Sequence, residues 1–345
     1  MSLNKAKREE IRKFILLNIR DHPADIVNVT QKKYKLTRPS VLRYIHDLTI
    51  KDQIEFQGST KNRKYNLKSI KDINLTYQIQ EHPAEDKVWR NDVVPLLQGI
   101  NENVINICQY GFTEIFNNAV DHSEGTEVLV RITVWIDQIS MTISDNGVGV
   151  FNKIQKEYNL DDPLHSILEL SKGKLTTDPK SHSGEGIFFT SRMFDFFSMI
   201  SGKLGFGYKN GVDLITEMVE EDVVGTRVIM WISPFSKRTT KSVFDKFTSD
   251  DFGFDKTIVP VSLAQYGKEN LVSRSQAKRL LTRLDKFKTV MLGFEKVPHI
   301  GRAFADEIFR VFVMSHPNTR IIPYDYNKSI KKLIDEVSPP KNKTG

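Results

Sequence analysis

Residues 112–123, Phe-Thr-Glu-Ile-Phe-Asn-Asn-Ala-Val-Asp-His-Ser, have the apolar spacing of a helix and also carry a polar stripe. Glu114, Asn117 or Asn118, and Asp121 follow one another at offsets of three, four and seven, which places them one above another on one helix face. A stripe of this kind is either a solvated surface or a site. The segments that follow the helix distinguish the two.

Two glycine-rich segments follow this helix, and both are typical of a chain that turns beside a ligand. Alternating apolar residues over 128–143 predict an antiparallel hairpin whose second strand runs into Asp145-Asn-Gly-Val-Gly149. Further along, Ser183-Gly-Glu-Gly186 opens a helix predicted over residues 187–197. Free backbone N–H groups at that helix start would hold phosphate oxygens. These segments predict a site rather than a solvated surface.

Together with Gly225-Thr226, these segments resemble, in order and spacing, the boxes of the GHKL ATPase superfamily, which includes gyrase, Hsp90, histidine kinases and MutL. The resemblance implies a sandwich in which helices cover a mixed sheet, with ATP and Mg²⁺ as the ligands. It makes Glu114 the general base or water-orienting carboxylate, and Asn118 the Mg²⁺ ligand. The ATP-binding residues that it implies are Asn117, Asn118, Asp121, Asp145, Gly147, Gly149, Gly184, Gly186 and Thr226.

Further expectations concern this region. By the same resemblance Asp145 accepts the adenine amine, the glycines let the backbone approach the nucleotide, and residues 150–183 form a mobile ATP lid. His122 is expected to cap or pack rather than accept a phosphoryl group. Because the pattern Gly-x4-Gly-Lys-Ser/Thr does not occur, P-loop chemistry is excluded.

The positive charge of the chain is concentrated at the N-terminus. Residues 1–72 hold 17 Lys and Arg against 8 Asp and Glu, a net charge of +9, whereas the whole chain carries only +7. A basic segment on an otherwise balanced protein suggests a polyanionic partner, and nucleic acid is favoured over membrane because no strongly apolar helix face accompanies the charge.

The sequence of the basic segment predicts three helices and a hairpin, and this arrangement resembles a winged helix-turn-helix. A helix capped by Thr37, with Pro39 in its first turn, precedes a hairpin at residues 54–67 with a cationic tip. In such a module the helix enters the major groove and the wing meets phosphates. The expected DNA-binding residues are Arg38, Ser40 and Arg43 on the helix, and Lys61, Arg63 and Lys64 on the wing. Protein docking is the alternative role.

Residues 254–337 alternate strand, capped helix, strand, helix and strand, which predicts a small α/β domain. This region resembles the STAS-like domain of unknown function that follows GHKL modules in bacterial regulators. Gly293 stands where that family usually has Asp. Ser275 is expected to be a helix N-cap rather than a phosphorylation site.

The chain has 345 residues, enough for two or three domains, and the predicted fold class is multidomain α+β and α/β. The predicted organisation is a winged helix-turn-helix at 1–72, a connector at 73–95, a GHKL domain at 96–235, a linker at 236–253, a STAS-like domain at 254–337 and a tail at 338–345. No signal peptide or membrane span is expected, which favours the cytoplasm. The single cysteine excludes an internal disulfide.

The leading hypothesis is a bacterial cytosolic regulator in which Mg-ATP binding, with slow hydrolysis, controls how the outer domains bind DNA or a partner. Two alternatives stay open: a serine/threonine kinase resembling the anti-sigma factors, and a non-catalytic scaffold of a defence or stress system. A homodimer is expected because helix-turn-helix proteins commonly read two half-sites and many GHKL proteins dimerise. A regulatory protein partner is compatible with each reading, and no membrane is expected to take part.

Overall fold

The structure is a computed structural model, and it describes residues 5–59, 62–175, 184–217, 222–248, 253–265 and 269–338. Within these ranges the chain is a mixed α+β protein with three separate β-sheets. Its buried apolar side chains form two clusters. The smaller cluster lies in the N-terminal unit, defined as residues 5–67, and the larger one continues through the rest of the described chain.

The N-terminal unit has three helices followed by a two-stranded antiparallel hairpin. The elements are α1 (Lys5–Asn18), α2 (Ile26–Tyr34), α3 (Arg38–Ile50), β1 (Ile54–Gln57) and β2 (Lys64–Leu67). Thr37 is the N-cap of α3 and proline follows in the first turn, as predicted. The Thr37 hydroxyl forms a hydrogen bond with that of Ser40 at 3.0 Å, and no backbone N–H of α3 bonds to it.

The central unit, residues 71–248, is built on a seven-stranded sheet in the order β3-β4-β5-β9-β6-β7-β8. The strands are β3 (Lys71–Gln78), β4 (Glu127–Val134), β5 (Ile139–Asp145), β6 (Phe196–Gly202), β7 (Leu204–Lys209), β8 (Val212–Glu217) and β9 (Val223–Ile232). Every neighbouring pair in this sheet is antiparallel, so the prediction of a mixed sheet is wrong. The links from β6 to β7 and from β7 to β8 are too short for the crossover that a parallel pair requires.

Helices cover one face of this sheet. They are α4 (Glu85–Val88), which continues through π and 3₁₀ turns to Leu97, then α5 (Glu102–His122), α6 (Val150–Glu157), α7 (Pro163–Lys172), α8 (Gly186–Met193) and α9 (Thr240–Phe244). The longest helix, α5, packs on β4, β5 and β9 through its apolar face.

Three segments of the central unit differ from the sequence-based expectation. The helix expected over 187–197 ends at Met193, because Phe194 has an extended backbone and leads into β6. The helical period seen from Leu96 onward becomes an α-helix only at Glu102. Residues 73–78, expected as connector, belong to β3, which pairs along its whole length with β4. That pairing joins positions 49 to 63 residues apart, so no local sequence pattern predicts it.

The C-terminal unit, residues 253–338, is an α/β unit, as predicted. Its parallel sheet has the order β10-β11-β12, with strands β10 (Lys256–Pro260), β11 (Thr289–Gly293) and β12 (Arg320–Tyr324). Its helices are α10 (Arg274–Leu281), α11 (Arg302–Asp306), which a π-helical turn joins to α12 (Val313–Ser315), and α13 (Lys328–Val337).

Two residues singled out in the C-terminal unit receive a structural explanation. The N-cap of α10 is Ser273, not Ser275: the Ser273 hydroxyl accepts a bond from the backbone N–H of Gln276, and the Gln276 side chain accepts one in return. A Cβ at Gly293 would lie 2.5 Å from the hydroxyl of Tyr324, so an aspartate there would have to displace that ring.

Candidate functional site

A cavity of about 330 Å³ opens in the central unit beside the C-terminal half of α5. This volume is at the lower end of the range typical of small-molecule sites. The described residues that line it are Glu114, Ile115, Asn118, Ala119, His122, Ser123, Ile143, Asp145, Val148, Gly149, Val150, Lys153, Ile154, Leu170, Leu175, Gly184, Gly186, Ile187, Phe188, Met199, Thr226 and Val228. The cavity thus joins all the segments that the sequence singles out in this region.

One face of α5 supplies three of the polar side chains of the cavity wall. Glu114, Asn118 and His122 line the cavity at intervals of four residues, whereas Asn117 and Asp121 are not among its lining residues, and Asp121 is exposed. Successive residues of a helix point about 100° apart, so a stripe can follow either of two adjacent tracks. The packing of α5 on the sheet turns the face with Glu114, Asn118 and His122 toward the cavity. The sequence alone leaves that choice open.

Asp145, at the end of β5, is held in place by backbone donors. Its Oδ1 accepts bonds from the N–H groups of Gly147, at 2.9 Å, and Thr226, at 3.2 Å. Burial raises the pKa of Asp145, and these two hydrogen bonds oppose the shift because they stabilise the carboxylate. The Thr226 hydroxyl in turn accepts a bond from the N–H of Val150 at 3.0 Å. The start of α6 and the start of β9 therefore fix one carboxyl group at the cavity wall.

Two of the predicted glycines have different surroundings. Gly149 lines the cavity with φ +84°, and a Cβ there would overlap the hydroxyl of Ser201. Gly147 is not among the lining residues, and a Cβ there would overlap the carbonyl oxygen of Ser123 at the end of α5. Gly147 thus permits close packing of its loop on α5. Its backbone was expected to approach a nucleotide, but Gly147 does not line the cavity in which a nucleotide would bind.

The first turn of α8 closes the opposite side of the cavity. Gly184 and Gly186 both line it, and a Cβ on Gly186 would overlap Oε2 of Glu114. The Glu114 carboxylate therefore lies against the start of α8. Burial, followed by the negative charges of Glu114 and Glu185, raises the pKa of the nearby Tyr110. The carboxylates of Glu114 and Glu185 accordingly concentrate negative charge near the start of α8.

Three polar residues of the cavity, His122, Ser123 and Lys153, were not predicted as ligand-binding residues. His122 was expected only to cap or pack, yet its position on α5 places it in the cavity wall. Lys153 of α6 also lines the cavity, and its ammonium group donates to the carbonyl oxygen of His122 at 2.8 Å and to Glu124 at 2.9 Å. The spacing of Phe151 and Ile154 predicts an amphipathic helix, but no sequence motif predicts that Lys153 lines a cavity.

The segment expected as a mobile lid is partly helical. Residues 150–157 and 163–172 form α6 and α7, and Leu170 and Leu175 belong to the cavity wall. Residues 176–183 of the expected lid lie outside the described residues.

The predicted DNA-binding residues lie apart from the cavity, in the N-terminal unit. On α3, Arg38 and Arg43 are exposed, and Ser40 is half-buried beside Thr37. The helix therefore offers two guanidinium groups to an approaching ligand.

Two of the three cations predicted on the wing, Arg63 and Lys64, are among the described residues. Lys64 is exposed, and the guanidinium of Arg63 lies over the ring of Phe56 at 4.2 Å. Lys61 lies outside the described residues.

Comparison with known proteins identifies part of the C-terminal unit. Residues 276–331 match the family described as STAS-like domain of unknown function (DUF4325), which confirms the STAS-like resemblance for that segment. A comparison of the chain with curated proteins finds no match. Across the described ranges, no helix is both long enough and apolar enough to cross a membrane.

Proposed function

We propose that the cavity binds ATP together with Mg²⁺, and that this binding regulates the contacts of the N-terminal unit with DNA. The observation that carries the proposal is the Asp145 carboxyl group at the cavity wall. Its Oδ1 is occupied by two backbone N–H groups, so Oδ2 is the oxygen that remains for a ligand. A fixed carboxylate oxygen in a wall that also carries apolar side chains suits an exocyclic amine such as that of adenine.

The other end of the cavity suits a chain of phosphates. The first N–H groups of an α-helix have no partner within the helix, and the glycines let phosphate oxygens come close to those of α8. Asn118 provides a neutral oxygen ligand on the facing helix, beside the Glu114 carboxylate. Among the described residues no three His, Cys, Asp or Glu side chains form a metal-binding group. Such a site suits Mg²⁺, which takes few protein ligands and is bound largely through waters and substrate phosphates.

Glu114 is the residue that would make the site catalytic. Its carboxylate lies against the first turn of α8, on the same face of α5 as Asn118. A terminal phosphate bound at the start of α8 would therefore lie beside this carboxylate. From there it can orient a water molecule and accept its proton. Bound Mg²⁺ would neutralise charge on the phosphate oxygens. The resemblance of these segments to the GHKL boxes supports the same assignment, with slow hydrolysis as the expected activity.

The N-terminal unit contacts the central unit at the far end of the strand that carries Asp145. Arg20 makes two bonds to Asp137, at 2.9 and 3.0 Å, and its guanidinium lies over the ring of Trp135 at 5.1 Å. From this turn β5 runs directly to Asp145. The strand thus offers a continuous route from the cavity to the unit that carries the exposed arginines of α3, in keeping with regulation of DNA binding.

The proposal is tested with γ-labelled ATP on the full chain, by following bound nucleotide and released phosphate. Asp145→Asn keeps an acceptor for the two backbone N–H groups but turns a donor toward the ligand. A hydrogen bond to a charged group contributes about 1.5–3 kcal/mol, so ATP affinity should fall about 10- to 100-fold. Asn118→Ala should weaken Mg²⁺-dependent binding, whereas Asp121→Ala, an exposed neighbour on the same helix, serves as the matched control.

Each outcome of these assays supports or contradicts a specific function of the cavity. Phosphate release that is lost in Glu114→Ala but retained in Asp121→Ala would support hydrolysis at this site. Transfer of label to protein would favour the kinase alternative. If wild type and Asp145→Asn bind ATP equally, or if neither binds it, the assignment of the cavity to ATP is refuted.

A further inference from the structure

The α7 segment, residues 163–175, separates the cavity from the C-terminal unit. Leu170 and Leu175 line the cavity. Between them, Lys172 and Lys174 donate hydrogen bonds to backbone carbonyls of the C-terminal unit. One short piece of chain therefore forms both a cavity wall and a contact between units.

A buried ionic cluster fastens this segment to the C-terminal unit. The Glu169 carboxylate accepts a bond from Lys172 at 2.5 Å through Oε1 and one from Arg283 at 2.6 Å through Oε2. The Lys172 side chain is fully buried, and those of Glu169 and Arg283 are 4% and 12% exposed. Burial lowers the pKa of Lys172 to about 8, an effect that Glu169 opposes. The ammonium group thus remains charged at neutral pH.

Hydrogen bonds from side chains to backbone carbonyls cross the same contact in both directions. The Lys172 ammonium donates to the carbonyl oxygens of Arg279, at 3.2 Å, and Thr282, at 3.0 Å. These carbonyls belong to the C-terminal turn of α10, where a cation is favourable. Arg283 donates in return to the carbonyl oxygen of Gly173 at 3.1 Å. Lys172 therefore caps a helix of the other unit.

Further contacts enclose this cluster. The hydroxyl of Thr257 donates to the carbonyl oxygen of Lys172 at 2.7 Å. The ammonium group of Lys174 donates to the carbonyl oxygen of Lys286 at 2.9 Å. A Cβ at Gly173 would lie 2.7 Å from the ring of Phe254, which shows how closely the two units approach. The contact is continuous from β10 to the end of α10.

We infer that the C-terminal unit regulates how long a ligand stays in the cavity, through the α7 segment. The inference rests on the proposed ATP site. Because separating a buried charge from its partners is strongly unfavourable, the α7 segment cannot leave the cavity wall without displacing the end of α10. Ligand binding and the conformation of that end are then coupled, and coupling acts equally in both directions.

Hydrogen exchange of the full chain, with and without Mg-ATP, tests the effect of ligand on the C-terminal unit. Backbone amides of residues 279–287 should exchange at least about fivefold more slowly with Mg-ATP, the lower end of typical coupling factors. Amides of α13, in the same unit but without bonds to the α7 segment, serve as the internal control and should not change.

The reverse direction is tested by the rate at which labelled ATP dissociates. Arg283→Gln removes a bond to Glu169 and should raise this rate at least about fivefold. Arg274→Gln makes the same charge change at the other end of α10, where Arg274 pairs with Asp306 on the surface, and should leave the rate unchanged. Arg283→Lys should restore part of the slow dissociation.

The outcomes separate the two proposals. If ATP does not bind wild type, the ATP site is refuted and the coupling with it. If ATP binds but exchange at residues 279–287 is unchanged, or if Arg283→Gln and Arg274→Gln release ATP at the same rate, only the coupling is refuted. Should Arg283→Gln fail to fold, the exchange measurement on wild type decides alone.

Discussion

Replacing Lys172 by methionine measures how strongly the buried ammonium group holds the central and C-terminal units together. Methionine has a similar length but no donors, so the carbonyl oxygens of Arg279 and Thr282 lose a partner. Glu169 loses one of its two cations and retains Arg283. Removing one partner of a buried ion pair costs about 3–5 kcal/mol. Because Arg283 remains, we expect the lower end, a loss of about 3 kcal/mol in the free energy of unfolding.

Urea unfolding followed by far-UV circular dichroism and tryptophan fluorescence measures this loss. All three tryptophans, Trp89, Trp135 and Trp231, lie in the central unit, so fluorescence reports that unit while circular dichroism reports the whole chain. Lys278→Met removes the same charge from an exposed position on α10 and should change stability by no more than about 0.5 kcal/mol. If Lys172→Met unfolds at the same urea concentration as Lys278→Met, the buried cluster does not stabilise the contact.

Three further predictions address the site, the core and the N-terminal unit. Gly186→Ala should lower phosphate release from ATP at least tenfold, because the added Cβ overlaps the Glu114 carboxylate; unchanged release would contradict a catalytic role at that position. Burial raises the pKa of Asp213 to about 6, so between pH 4 and pH 6 the folded chain binds more protons than the unfolded chain, and stability falls as pH rises. Relative to Asp213→Asn, wild type should lose about 3 kcal/mol in the free energy of unfolding across that window, as measured by urea unfolding. If the stabilities of the two proteins depend on pH in the same way, the pKa of Asp213 is not raised. Arg43→Ala should abolish preference for a specific duplex in binding assays, whereas Lys64→Ala should weaken all duplexes and reduce the salt slope by about one; equal effects of the two variants would exclude base reading by α3.

Much of the candidate site could be predicted because its signals are local. The spacing of Glu114 and Asn118 is a property of one helix, and Asp145 follows directly from an alternating strand. The choice between Asn117 and Asn118 depends on how α5 is rotated against the sheet. That rotation is set by packing across many elements, so it becomes visible only in the structure.

The contacts between units could not be predicted, because their partners are far apart in sequence. Glu169 and Lys172 stand in a segment rich in polar residues, which is typical of a solvated loop. Their partner Arg283 lies more than 100 residues later. The strand β6 was missed for a different reason: its aromatic residues directly follow α8, and a short apolar run fits either a helix or a strand.

The cap that Lys172 places on α10 has a consequence for how such chains are assembled in evolution. A gene fusion that transferred residues 253–338 alone to another protein would leave the last carbonyls of α10 without their donor and Arg283 without its carboxylate. A successful transfer would have to carry the α7 segment as well, or find a replacement for it. The two units are therefore expected to be inherited together, and substitutions at Glu169, Lys172 and Arg283 to occur in concert.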